Sequence, residues 1–171
     1  MLHRSRHREH SAGDATRCRH RQLSTILPLM TEQPDPEEQR LESVYESMLT
    51  ALARRDIGLL DTLLADDIEF RSYATGSDPM RGKSDVLEAV KATRDRLFEP
   101  VLLGFEHLGA GWLIAAAQLR HSVDGGWMAD SRKAALARVV DGKVHVSLAS
   151  PTAAEAHAEF EARRSVGPDR P

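Results

Sequence analysis

Residues 112–150 read WLIAAAQLRHSVDGGWMADSRKAALARVVDGKVHVSLAS, and this stretch decides the fold. Trp112 to Val123 is apolar on both faces, as a central strand is. Asp124-Gly125-Gly126 and Asp141-Gly142 supply the positive φ that tight hairpins need, so Trp127–Val140 and Lys143–Ser150 return beside it. Upstream, Val101 to Leu108 is a further strand and Gly109-Ala110-Gly111 turns it into Trp112. The result is a meander of four antiparallel strands.

Ahead of the meander the period changes to that of helices. Asp35 can cap a helix with Pro36 in its first turn and Glu38 closing a capping box. Leu41, Val44, Tyr45, Met48 and Leu52 then recur at helical spacing until Arg54-Arg55. Asp56 caps a shorter helix with Leu59, Leu60, Leu63 and Leu64 as its stripe, and Asp66-Asp67 ends it. Ile68 to Tyr73 alternates as a strand, followed by a polar loop with Gly76, Asp78 and Pro79. Ser84 caps a third helix over Asp85–Leu97 with Val86, Leu87, Val90 and Leu97 inward. After the meander, Thr152 to Glu155 is a capping box for a short helix reaching about Arg163. Helices segregated against one face of a curved antiparallel sheet make an α+β fold, and a bent sheet of this kind encloses a cavity.

The chain has 171 residues, 41% apolar and 29% charged, with only 5% aromatic, so its core is aliphatic. One cysteine, Cys18, excludes an internal disulfide framework and a cysteine-cluster metal site. The net charge of −3 argues against general nucleic-acid binding, and no stretch approaches a membrane span. That charge is uneven. Residues 1–29 hold six Arg and four His for a net +4, leaving −7 from Met30 onward. Without an apolar period, residues 1–34 are expected to be a disordered extension, with Met30 as the favoured true start. Its alternatives are a metal tail (His3, His7, His10) or a basic arm. Leu23 to Leu29 is too short, too interrupted and too late for a secretory signal, so a cytoplasmic location is expected. One domain is expected over 35–163, with residues 164–171 a frayed tail.

From about Glu37 to Phe160 the chain resembles the nuclear transport factor 2-like superfamily, in its bacterial SnoaL-like, polyketide cyclase-like branch. The carrying residues are Tyr45 to Leu52, Asp56, Leu63 to Phe70, Met80 to Ser84, Arg138 to Val144 and the run Ser150 to Ala156. The resemblance implies a cone-shaped, cystatin-like sheet with three N-terminal helices on its concave face. It says little about function, because the fold hosts many reactions and non-enzymes. Ketosteroid isomerisation needs a carboxylate base and a Tyr–Asp oxyanion pair. Aligned by the resemblance, those positions hold Ser72, Met48 and Ala135, so this chemistry is not expected. The same alignment turns Ile68, Phe70 and Ser72 inward, along with Ala135, Ala137, Val139, His145, Ser147 and Ala149.

His145 is the first catalytic candidate, since imidazole serves as acid or base near neutral pH. The pocket lining expected is Tyr45, Met48, Phe70, Ser72, Ala135, Ala137, Ser147 and Ala149. Lys133 is a possible anchor for a ligand carboxylate, although Asp130, Arg132 and Lys133 read more simply as solvated charges. Trp112, Trp127, Phe98 and Phe105 fit core or cavity wall. Alanines 115–117, 135 and 137 leave volume, which points to a hollow interior. No Gly-x-Ser-x-Gly elbow is present, and Gly82-Lys83-Ser84 lacks phosphate-loop spacing. Asp66-Asp67 reads as a structural junction bonding backbone amides. The expectation is a binding domain for a small apolar or aromatic ligand, without cofactor or metal. Any catalysis would be cofactor-free acid–base chemistry of isomerase, cyclase or hydrolase type. A homodimer through the outer sheet face is expected, as this fold commonly pairs there and Leu136 points outward; the alternative function is a non-catalytic dimerisation or accessory module of the same fold.

Overall fold

The computed structural model describes residues 35–73, 78–93, 98–123 and 126–165; at 98–100, 121–123 and 126–131 it describes the backbone alone. The basic extension, the Asp124-Gly125 turn, Leu97 and the end of the tail lie outside the described residues, as do the side chains of Phe98, Trp127 and Asp130. Among the described residues, four helices and six strands follow one another as α1 (Pro36–Arg54), α2 (Ile57–Leu63), β1 (Leu64–Arg71), β2 (Met80–Arg81), α3 (Lys83–Ala92), β3 (Phe98–Gly109), β4 (Trp112–Val123), β5 (Gly126–Val140), β6 (Lys143–Ser150) and α4 (Ala153–Ser165). The strands form one sheet in the order β2-β1-β6-β5-β4-β3. The β3–β6 meander is antiparallel, and β1 joins it parallel to β6, so the sheet is mixed.

The expected helix signals act where they stand. Asp35 Oδ1 accepts from Glu37 N and Asp56 Oδ1 accepts from Leu59 N. Thr152 Oγ1 accepts from Glu155 N and starts α4, which runs on through Arg164 and Ser165. Ser84 is not the cap of α3. Gly82 takes that place at φ +94, and the helix starts at Lys83 and ends at Ala92. On α2, Leu60 is fully buried and Leu59 is left exposed. Two short strand pieces escape the apolar pattern. β1 begins at Leu64 and carries Asp66-Asp67 within it, and β2 pairs with β1 from inside the polar loop.

Each sheet face has its own cover. The inner face carries Phe70, Ala115, Ala135, Ala137, Val139 and Val144, clustered with Tyr45, Met48, Leu49 and Leu52 of α1 and Val86 of α3. The outer face carries Ile114, Ala134 and Leu136, packed against Ala156 and Phe160 of α4. Leu136 does point outward, yet it is completely buried because α4 lies over it. Leu136 is therefore covered by the chain's own helix and is not a free contact for a second copy. Trp112 belongs to the same layer, edge-on to Phe160 at 5.7 Å and under Arg138 at 5.5 Å, so it is not cavity wall.

Candidate functional site

One cross-strand row organises the inner face. Phe70 pairs with Ser147, Ser147 with Ala137, Ala137 with Leu113, and Leu113 with His107. The next row runs Ala149, Ala135, Ala115, Phe105. Tyr45 of α1 lies across both, with its hydroxyl 3.3 Å from Ser147 Oγ and its ring edge-on to Phe105 at 6.4 Å. Tyr45 has no exposed surface, because a Tyr on the apolar stripe of a helix is held against the sheet. Tyr73 follows β1 and packs at the edge of this cluster. The residue is partly exposed, but its hydroxyl is buried; it neighbours the Tyr45 hydroxyl, already engaged with Ser147, and makes no well-formed hydrogen bond among the described residues.

Burial decides the electrostatics of these phenols. Desolvation raises the Tyr45 pKa, and the bond to Ser147 only partly offsets it. Burial drives Tyr73 well above the ordinary tyrosine range, and the neighbouring Tyr45 adds to the rise. Both hydroxyls are therefore neutral donors at any physiological pH. Among the described residues, the buried serines are Ser147 and Ser150, and no carboxylate is buried. The inner positions Met48 and Ala135 are fully buried, and they are not the acids that ketosteroid chemistry requires.

His145 lies elsewhere. On β6, Val144 pairs with Val139 while Val146 pairs with Arg138, so His145 is the extra residue of a bulge. The bulge takes it out of the alternation that seats Ser147 and Ala149 inward. Its ring is 34% exposed and its Nδ1 lies 3.2 Å from Oδ1 of Asp67, a side chain that is 81% exposed. Asp66 bonds Lys83 Nζ at 2.6 Å, so this acidic pair binds side chains rather than the backbone amides expected. Lys133 keeps the parity of Ala135 and stands opposite Ala117 on the inner face, half-buried. Arg132 is exposed.

The interior itself is closed at its centre. Tyr45, Met48, Ala135 and Ala137 have no accessible surface, so the alanines accommodate the packed helix instead of leaving a hollow. A groove of about 290 Å³ does exist, lined by Ser43, Glu46, Ser47 and Thr50 of α1 with Leu59 and Leu102. None of the expected lining residues faces it.

The sequence reading passed over one polar pair. His107 Nε2 sits 2.9 Å from Glu42 Oε1, joining β3 to α1, and the His107 side chain is only 16% exposed. Its other nitrogen, Nδ1, is buried and has no partner among the described residues. The signal was present as His107 at period two from Phe105 and Glu42 one helical turn from Tyr45, but neither residue belongs to the apolar pattern.

No family model and no curated protein matches this chain by sequence. Solved structures do. An LEH-like epoxide hydrolase from Mycobacterium tuberculosis superposes with a TM-score of 0.58 at 14% identity, covering 80% of this chain and 99% of the other. A Δ5-3-ketosteroid isomerase from a Mycobacterium species gives 0.54 at 13%, covering 68% and 95%. A nuclear transport factor 2-like protein of unknown function from Burkholderia pseudomallei gives 0.50 at 16%, covering 68% and 93%. At such identities the likeness speaks to architecture alone: this chain has the nuclear transport factor 2-like fold.

Proposed function

We propose that the chain is a SnoaL-like small-molecule-binding domain whose ligand meets the edge of the inner sheet face at Tyr73, beside the buried Tyr45–Ser147 pair. The buried hydroxyl of Tyr73, without a well-formed hydrogen bond among the described residues, carries this reading. Leaving such a donor unsatisfied costs about 1–3 kcal/mol, and a ligand acceptor would recover it. Tyr73 is partly exposed at the edge of the cluster, so it is the group an entering molecule would meet first. Because both phenols stay neutral, they donate and suit a ketone-type carbonyl on an apolar body. Lys133, half-buried on the same face, would serve as a rim contact for a more polar end. Binding is the function argued for; any turnover would be cofactor-free.

Calorimetric titration with acetophenone and with ethylbenzene tests the reading, since the two share a shape and only the first carries an acceptor. Acetophenone should bind about tenfold more tightly, the worth of one net hydrogen bond. Tyr73→Phe should erase that preference. Equal affinity for the two compounds, or binding of neither, rejects the site.

A further inference from the structure

The tyrosine cluster supplies donors. The same inner face also carries an acceptor. Glu42 presents a carboxylate, which accepts hydrogen bonds and does not give them, so His107 Nε2 carries the proton in their 2.9 Å contact. In the neutral ring the carboxylate thereby fixes the tautomer and leaves Nδ1 with a bare lone pair. That lone pair is buried and meets no donor among the described residues. Backbone geometry places it in line with the first cluster: His107 and Ser147 lie in one cross-strand row, three strand spacings apart. At the usual spacing this is at most about 14 Å. Glu42 stands one helical turn before Tyr45, so both polar points are anchored to the same helix and the same sheet.

From this geometry we infer that His107, positioned by Glu42, is a second ligand contact that accepts a hydrogen bond from an O–H or N–H group. This rests on the reading of the inner face as a binding surface and narrows it to ligands carrying a weakly acidic donor, such as a phenol or an alcohol.

Phenol and anisole separate the two ideas. Both offer an oxygen lone pair to the tyrosines, and only phenol offers a proton to His107. Phenol should bind about tenfold more tightly to the wild-type chain. Glu42→Gln and His107→Phe should each reduce that ratio to near one. Long-range ¹H–¹⁵N spectra of the unaltered protein at pH 8 give a readout independent of any variant's folding. They should show the proton on Nε2 and a shift at Nδ1 on adding phenol, with none on adding anisole. A proton resident on Nδ1, or equal affinity for phenol and anisole, overturns the inference. If the acetophenone preference persists while phenol and anisole bind alike, the acceptor fails and the tyrosine site stands. Binding of none of these compounds removes both.

Discussion

Tyr73 and Tyr45 are chemically identical, but the same substitution should move stability in opposite directions. Tyr73→Phe deletes a buried hydroxyl that makes no well-formed hydrogen bond among the described residues, so the unliganded protein should gain up to about 1 kcal/mol, read as a higher midpoint by calorimetry. Tyr45→Phe deletes a hydroxyl that serves Ser147 and strands the serine oxygen in the core, so it should cost about 1–2 kcal/mol. A stabilising Tyr45→Phe would show that the 3.3 Å contact contributes nothing. The contrast follows from satisfaction of polar groups rather than from burial. Neither effect is visible in residue identity alone.

The elements record where sequence reasoning holds and where it stops. Caps at Asp35, Asp56 and Thr152 are local chemistry, and each side chain accepts from a first-turn N–H, with Asp35 taking Glu37 N in place of the Glu38 N of a capping box. The Asp141-Gly142 turn takes positive φ at both residues, as that dipeptide demands. Period two places Ser147, Ala149, Ala135 and Ala137 inward, but one inserted residue on β6 displaces His145, and no local signal marks a bulge. His107–Glu42 was illegible for another reason: it joins residues 65 apart, and only the β3–α1 packing brings them together. The β3–β4 turn has a sharper requirement. Gly111 sits at φ +78, its carbonyl accepts from Val139 N at 2.8 Å, and an added Cβ would collide with the Val139 carbonyl. Gly111→Ala should therefore destabilise by about 3 kcal/mol or more, combining backbone strain with a contact that cannot relax. Urea denaturation checks this, and a loss below about 1 kcal/mol would mean the turn re-forms another way.

Across the whole molecule, α4 fastens the outer face from one edge strand toward the other. His157 reaches Glu106 on β3, Phe160 meets Trp112 on β4, and Arg163 grips Glu69 on β1 with two bonds of 3.0 Å. The Arg163 bonds hold the Glu69 carboxyl below its usual range, despite some desolvation. A lowered folded-state pKa stabilises fully above the ordinary glutamate value of about 4.3, and the effect is lost as pH falls through the folded value. Arg163→Met should thus cost about 1 kcal/mol at pH 7, discounted for partial exposure, and progressively less as pH falls below the ordinary glutamate value toward the folded one. A difference that does not shrink over the whole acid range in which the protein stays folded would mean that packing by the arginine stem, not charge, holds the helix. Beneath that latch lies a strip of Ile114, Ala134 and Leu136, each almost or wholly without exposure. Ala156 is fully buried against it, so Ala156→Asp presses a carboxylate onto Ile114, Ala134 and Leu136 and should lift α4 from the sheet. The inner cluster is built from other residues and should keep the fold intact, which far-UV circular dichroism would register. The uncovered strip would then be a large apolar patch on a strand-rich face, a surface that drives association. Sedimentation velocity should show the variant's mass rising with concentration beyond that of the wild-type chain; identical profiles would mean that α4 is cover for the core and not a guard against self-pairing.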